Sequence, residues 1–244
     1  MRRLAATVIV LLFAGVVAEA RATASVDDCA QGNPLSPQAE MFATNNTETI
    51  ANPADPRLQD SLGRFASDVE RTILANAALP VGSDRLDGVF WSEDLQQLTF
   101  ESSREFHLAC VDGRELTRIA ETVAGEFRQE SVLTFTYQPD DAPIEDSFIA
   151  KVPGVDVQRF RDAFAADADA RNRLGGGSVT EDGSLVLVAA DQDAQVAKRV
   201  VAVSGGELDM SGVRHGTRRF VPWLVRAIAA VTAPPSRPDP AAAP

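Results

Sequence analysis

Apolar residues recur at helical spacing in several segments of this chain, and cap residues precede the first two segments. Asp55 and Pro56 have the residue types of an N-cap and a first helical position, and apolar side chains follow every three or four residues until Leu79. Asp112 and Glu115 have the spacing of a capping box, directly before a second apolar stripe. These patterns predict two helices that begin at Asp55 and at Asp112.

The carboxyl-terminal half of the chain predicts three more helices. The first begins after Asp156, whose residue type suits an N-cap, and ends at Gly175, because glycine readily adopts the left-handed conformation that ends helices. Shorter apolar segments at residues 194–203 and 222–231 predict the other two.

Alternating apolar and polar residues predict strands between these helices. Residues 92–106 are also compatible with a helix, so that part of the pattern leaves two interpretations open. A hairpin is expected within residues 179–188, because Asp182 and Gly183 form a dipeptide that favours a type I′ turn. The other predicted strands cover residues 89–91, 97–101, 105–111, 132–137 and 147–152.

Over residues 104–190 the predicted order of elements is strand, helix, strand, strand, helix, strand. This is the order of a ferredoxin-like, split βαβ core, in which two helices pack on one face of an antiparallel sheet. We therefore expect an α+β fold with an additional N-terminal helix and two C-terminal helices. The helix-facing side of strand 132–137 would carry Leu133, Phe135 and Tyr137, packed against Ile119, Val123, Phe160 and Phe164, and the other side Thr134 and Thr136.

The amino terminus has the layout of a secretory signal peptide. Arg2 and Arg3 precede a largely apolar run over residues 4–18, and small-x-small sites end at Ala20 and Ala24. The run is shorter than the roughly 20 residues that span a bilayer. Residues 1–24 are therefore predicted to be removed on export, and the mature protein to be secreted or to lie in the periplasm or cell envelope.

The remaining residues divide into three parts. Residues 25–54 show no periodicity and predict an irregular N-terminal arm. Residues 55–231 carry the helix and strand patterns and predict a single α+β domain. Residues 232–244 are rich in proline and alanine and predict a disordered tail.

The balance of charge excludes some partners. The formal net charge is −12 at pH 7. Loss of three arginines and one glutamate with the signal peptide changes it to −14. A surface this acidic repels nucleic-acid phosphates and anionic lipid headgroups. We therefore expect no nucleic-acid partner, and no membrane span after signal cleavage.

The two cysteines, Cys29 and Cys110, predict one disulfide, since an even number of cysteines in an exported protein usually pairs. Closing a loop of this length would stabilise the protein by roughly 4 kcal/mol in the chain-entropy model. Two cysteines so far apart, without a histidine cluster, do not predict a metal site.

The chain lacks the common catalytic and cofactor motifs. It has no phosphate-binding glycine loop, no dinucleotide fingerprint, no nucleophile elbow and no zinc-protease helix. With two histidines and one tyrosine in the whole sequence, we predict no catalytic residue, no metal and no cofactor.

His107 is the first candidate binding residue. It alternates with Phe106 and Leu108 in its predicted strand, which places it on the sheet face opposite the helices. That face would be open for recognition. In an alternative role, His107 would be a general base with a neighbouring carboxylate.

A basic cluster near the carboxyl end and a tryptophan are the other candidates. The cluster precedes the helix predicted at Pro222, so it would bind an anion near a helix amino terminus or pair with the protein's own carboxylates. An exposed tryptophan would mark a binding surface. These candidate residues are Arg214, His215, Arg218, Arg219 and Trp91.

The sequence therefore predicts an exported, soluble, non-enzymatic module that binds an unknown protein or a small ligand outside the cytoplasm. The first alternative is a small secreted hydrolase that uses His107 with a carboxylate. The second, by analogy of fold, is a protease-inhibitor or propeptide-like module.

Overall fold

The computed structural model describes residues 37–44, 49–59, 62–138 and 146–222. Within these ranges the strands are β1 (Ala39–Thr44), β2 (Leu79–Ser92), β3 (Gln97–Ala109), β4 (Ser131–Tyr137), β5 (Ser147–Val152), β6 (Gly176–Thr180), β7 (Leu185–Ala190) and β8 (Arg214–Pro222). The helices are α1 (Leu62–Ala75), α2 (Gly113–Glu126), α3 (Val157–Ala166), α4 (Ala168–Leu174) and α5 (Ala194–Val203), with single 3-10 turns at Pro56–Gln59 and Asp191–Asp193.

The strands form one closed antiparallel barrel in the order β1-β3-β2-β6-β7-β5-β8-β4. The circle closes where β4 pairs back onto β1. The longest strand pairing is between β2 and β3, which form a continuous hairpin from Leu79 to Ala109. Closure gives each strand a partner on both sides, and it turns one face of the sheet into an enclosed interior.

The barrel consists of two repeats with the same topology. The first repeat runs from β1 to β4 and the second from β5 to β8, each in the order strand, helix, strand, strand, helix, strand, with α3 and α4 sharing the first helical position of the second. Within each repeat, the fourth strand lies beside the first, followed by the third and the second. The repeats join through equivalent edges, β2 to β6 and β4 to β8.

The predicted ferredoxin-like α+β fold is wrong, because the sheet closes into a barrel and has no open face. Residues 104–190, predicted as one unit, run from the first repeat into the second. Two strands were missed: β1 lies in the predicted irregular arm, and β8 covers the predicted basic cluster. In both strands charged residues point into the barrel, so the usual pattern of apolar residues inside and polar residues outside is lost.

The helices cover the outside of the barrel and build two apolar cores. α1 and α2 pack on the first repeat around buried residues that include Phe65, Phe106 and Ile119. α3, α4 and α5 pack on the second repeat around Phe160 and Phe164, among others. Each fully buried phenylalanine contributes about 1.5–3 kcal/mol of apolar burial.

The predicted faces of strand 132–137 are reversed. Phe135 points into the barrel, where it forms a small apolar cluster with Leu86, Ile149 and Val186 that we name the central plug. Val132 points outward into the core beneath α1 and α2, and Thr134, two residues later, is buried on the same face. The side chains predicted to contact the helices therefore line the interior instead.

Several local predictions are confirmed. α2 has the complete capping box, with the Asp112 carboxylate accepting from the backbone and Glu115 bonding back to the backbone of Asp112. Asp156 caps α3 by accepting from the backbone N–H of Arg159. The helical segment that follows Asp156 ends at Gly175, whose φ is +74°. The strands predicted at 132–137 and 147–152 are present as β4 and β5.

Other local predictions need correction. Residues 92–106 are a hairpin, so the helical alternative is wrong. The helix predicted to run from Asp156 to Gly175 is two helices, because Asp167 ends α3 and caps α4. The β6–β7 turn is not type I′: Gly183 has a positive φ and Asp182 does not, and Gly183 N–H donates to Thr180 O, as in a type I turn followed by a glycine bulge. Pro222, predicted as the first residue of a helix, is the last residue of β8.

Some predictions lie outside the described residues. They are the signal peptide, the first part of the N-terminal arm, the helix beyond Pro222 and the tail. Cys29 also lies there, so its predicted pairing with Cys110, the one cysteine in the described ranges, is not tested, and Cys110 itself is not a free cysteine.

None of the described helices combines the length and the apolar character needed to cross a membrane.

Candidate binding sites inside the barrel

The inner face of β3 is polar along its whole length. Glu101, Ser103, Glu105 and His107 follow at every second position, as strand geometry requires for residues on one face. Their cross-strand neighbours on β1 and β2 continue the polar surface, since Glu40 lies opposite His107. The interior of this barrel therefore differs from an ordinary apolar core.

At one end of the interior, charged side chains form what we call the polar cluster. His107 is at its centre: its Nδ1 lies 2.5 Å from Glu40 Oε2, and its Nε2 lies 3.2 Å from Asp84 Oδ2. The Glu40 and Glu105 side chains are 2% and 0% exposed. The polar cluster comprises Glu40, Asp84, Glu105, His107, Tyr137 and Lys151.

Tyr137 and Lys151 bond to the carboxylates of the polar cluster. Tyr137 donates its hydroxyl hydrogen to Glu40 Oε1 at 2.5 Å. Lys151 Nζ lies 2.9 Å from Glu105 Oε2 and 3.3 Å from Asp84 Oδ2. Glu105 Oε1 has no hydrogen-bond partner among the described residues. A buried carboxylate oxygen without a partner carries a desolvation cost of about 1–3 kcal/mol or more.

The electrostatics of the polar cluster favour a charged histidine. The hydrogen bond to Glu40 raises the pKa of His107 more than burial lowers it. Burial, reinforced by the charge of Glu40, raises the pKa of Glu105. Burial lowers the pKa of Lys151, but its bonds to Glu105 and Asp84 outweigh this and raise it overall. Burial and the charge of Glu40 raise the pKa of Tyr137.

In the hydrolase alternative, His107 would act as a general base with a neighbouring carboxylate. A histidine that serves as general base needs one ring nitrogen free to take a proton from the nucleophile or from water. In the polar cluster both ring nitrogens of His107 face carboxylates. The histidine is therefore held as a hydrogen-bond donor to Glu40 and Asp84.

At the other end of the interior, a cavity of about 480 Å³ opens between seven of the eight strands. Its volume is within the range of about 300–1,000 Å³ of small-molecule pockets. The floor includes Val186, a member of the central plug, together with Phe42 and Val188, which pack against the plug. The central plug thus separates the cavity from the polar cluster.

Aromatic and apolar side chains dominate the walls of the cavity. Phe90 occupies space that two glycines leave free, because a Cβ at Gly88 or Gly176 would collide with its ring. The remaining aromatic and large apolar members of the lining are Phe42, Ile50, Trp91, Phe100, Leu133, Leu174 and Phe220. A lining of this type provides apolar contact area and shape for a ligand.

Two carboxylates and no basic side chain line the cavity within the described residues. Burial raises the pKa of Glu101 to about 7, with a smaller contribution from the charge of Glu130. Glu101 is therefore protonated in mildly acidic solution and ionised in mildly alkaline solution. Near neutral pH it can donate a hydrogen bond to a ligand or accept one from it.

A second concave region, of about 630 Å³, lies outside the barrel between the α3–α4 corner and α5. It is open along the helix surface and lined mainly by alanine and valine. Its charged side chains form an ion pair with each other, since Arg199 Nη2 lies 2.8 Å from Asp167 Oδ2. We therefore place the candidate binding sites inside the barrel.

The structure separates the residues of the predicted basic cluster. They belong to β8, so alternate residues face opposite sides. Arg214 stacks 3.5 Å above the Tyr137 ring and Arg218 donates to Val188 O at 3.2 Å. On the outer face, His215 Nδ1 lies 3.2 Å from Asp191 Oδ1, and Arg219 is exposed. The four do not form a single basic patch.

Two of the predicted binding residues do belong to the interior sites. His107 faces away from the helices, as its alternation with Phe106 and Leu108 predicted, and that face is the barrel interior. Trp91 lines the mouth of the cavity, with the Arg171 guanidinium 4.4 Å above its ring.

Six residues of the interior sites were not predicted from the sequence: Glu40, Asp84, Glu101, Glu105, Tyr137 and Lys151. One usable signal was Lys151, a charged residue within the otherwise apolar strand Ser147–Val152. Glu40 gave little signal, because nothing indicated a strand in the N-terminal arm.

No family model, curated protein or solved structure matches this chain.

Proposed function

We propose that this protein binds a small, largely apolar molecule in the barrel cavity, without chemical conversion. The single observation that carries the proposal is a ligand-sized cavity of about 480 Å³ inside a closed barrel, lined by aromatic and aliphatic side chains together with polar ones. Eight-stranded barrels have interiors wide enough to hold one small ligand.

The polar groups indicate the charge of the ligand. Glu101 and Glu130 line the cavity, and the described lining contains no lysine, arginine or histidine. An anionic ligand would lose its hydration without gaining an opposite charge, which is costly in an apolar site. A neutral ligand that bonds to Glu101, or one with a cationic nitrogen, meets no such cost.

A matched pair of fluorescent probes tests this proposal. N-phenylnaphthylamine is neutral and brightens in apolar surroundings, and anilinonaphthalene sulfonate has the same aromatic frame with an added negative charge. We expect the neutral probe to bind saturably and the sulfonate at least about tenfold more weakly, a difference of about 1.4 kcal/mol.

A cavity-filling variant locates the binding site. Ser178 lines the cavity on β6, so Ser178→Phe fills part of it and should weaken the neutral probe by about tenfold or more. Ser67→Phe on the exposed face of α1 adds the same side chain away from the cavity and should have no effect. Equal binding by both variants, or absence of saturable binding to the wild type, would contradict the proposal.

A further inference from the structure

We propose that Glu40, Glu105 and His107 form a binding site for one divalent transition-metal ion, such as Zn²⁺. One possible ligand atom from each residue lies within 4.8 Å of the others. The three residues come from two neighbouring strands, with Glu40 directly opposite His107 and Glu105 two residues away on the same face. This inference is independent of ligand binding in the cavity, which lies beyond the central plug.

The strongest support is that, in each candidate ligand residue, one polar atom is already bonded to a second side chain. Metal-binding histidines usually donate their other N–H to a carboxylate, and metal-binding carboxylates are themselves hydrogen-bonded. His107 has Asp84 at 3.2 Å from its Nε2, which leaves Nδ1 for the metal. Tyr137 holds Oε1 of Glu40, which leaves Oε2. Glu105 is held in the same way, by Lys151.

In Glu105, Lys151 occupies Oε2, and Oε1 is the atom without a partner. The Glu105 side chain is 0% exposed, so water outside the barrel does not reach this oxygen. A metal ion would supply the missing partner. Each of the three residues therefore has one atom engaged by an outer group and one atom turned toward a common centre.

The charge of the polar cluster favours a cation. With the histidine neutral, as metal binding requires, Glu40, Glu105 and Asp84 contribute three negative charges and Lys151 contributes one positive charge. Arg214, stacked on the Tyr137 ring, adds a second positive charge beside the cluster. The net charge that remains is negative and attracts a divalent ion.

Binding requires a small rearrangement and an open path. Ligand atoms of a tetrahedral zinc ion lie about 3.3 Å apart, since each bond is about 2.0 Å long. His107 Nδ1 and Glu40 Oε2, now 2.5 Å apart, would separate by less than about 1 Å. The Asp84 and Lys151 side chains are 48% and 42% exposed, so the ion can enter from this end of the barrel.

The donor set indicates the kind of metal. One imidazole and two carboxylates suit first-row ions that accept nitrogen and oxygen ligands, and three protein ligands leave a position for water. Calcium is less suitable, because it takes six to eight oxygen ligands. This site was not predicted from the sequence, because its residues are neither adjacent nor spaced as in a known metal motif.

The test titrates the full chain, freed of metal by a chelator, with Zn²⁺ alone at pH 7 by calorimetry. We expect one Zn²⁺ per chain. Glu105→Gln keeps the shape of the side chain and removes a ligand charge, so it should weaken binding at least about 100-fold. Glu121→Gln makes the same charge change on the exposed face of α2 and should leave binding unchanged.

Two further measurements guard against a variant that merely fails to fold. Asp84→Asn changes a half-exposed outer group and should weaken Zn²⁺ binding by about 10–100-fold while the circular dichroism spectrum is preserved. Co²⁺ in place of Zn²⁺ should give visible absorption that Glu105→Gln abolishes. If Zn²⁺ does not bind the wild type, or binds a folded Glu105→Gln variant equally well, the polar cluster is an ion-pair network without a metal.

Discussion

Replacing Glu101 by glutamine should make the stability of this protein less sensitive to pH. The carboxyl of Glu101 ionises near 4.5 ordinarily and near 7 in the folded barrel, chiefly because it is buried. Between these two values the folded chain retains a proton that the unfolded chain has released. Folding stability therefore falls as the pH rises through this window.

The size of the effect follows from the two pKa values. At about 1.4 kcal/mol for each pH unit, the difference between 4.5 and about 7 corresponds to about 3 kcal/mol. This is an upper limit, because Glu101 lines an open cavity and solvent screens its charge. Glutamine remains neutral, so Glu101→Gln avoids the cost of ionisation inside the barrel.

Urea unfolding of the wild type and of Glu101→Gln at pH 4.5, 6 and 8 measures the effect. We expect similar free energies of unfolding at pH 4.5, and a variant that is more stable than the wild type by up to about 3 kcal/mol at pH 8. Glu121→Gln, on the exposed face of α2, is the control and should show no such trend. A difference between Glu101→Gln and the wild type that is independent of pH would refute the reasoning.

Three further predictions concern the fold, and urea unfolding checks each. Phe135→Ala should lower the free energy of unfolding by about 3–5 kcal/mol, because this side chain is 0% exposed inside the barrel. Phe220→Ala, at 64% exposure, should lower it by much less. The reverse order would contradict the barrel. Asp112→Ala should cost about 1 kcal/mol through loss of the α2 cap, and Glu121→Ala on the same helix should be nearly neutral. Gly216→Ala should destabilise by about 1–3 kcal/mol or more, because its Cβ would collide with the facing backbone and lie 2.8 Å from the Phe135 ring; a neutral effect would refute this packing.

Three local helix signals were reliable because they depend on neighbouring residues, whereas the helix predicted to begin at Asp55 begins at Leu62, after a 3-10 turn at Pro56–Gln59. The Asp112–Glu115 capping box, the Asp156 cap and the Gly175 stop are satisfied within a few residues of the chain, and the structure shows all three. The alternation around His107 likewise indicated which side of β3 it faces. Interactions of this kind need no knowledge of the tertiary fold.

The closure of the sheet was not predictable in the same way. β1 and β8 became recognisable as strands once their partners were known, since Glu40 lies opposite His107 and Arg219 lies opposite Thr134. A strand whose inner side chains are charged has no apolar alternation to mark it. Without these two strands, the remaining elements predicted an open sheet with helices on one face.

The sequence by itself determined α2 with its capping box, the start of α3 at Asp156, two of the strands and the acidic balance of charge. The tertiary structure alone decided which side chains meet inside the barrel, because those contacts join residues that are far apart in the chain. Glu40 and His107 are 67 positions apart, and Tyr137 and Glu40 are 97 apart. Alternation along a strand predicts the face on which a residue lies. Strand pairing then decides which side chains lie opposite it, and these contacts decide its chemistry.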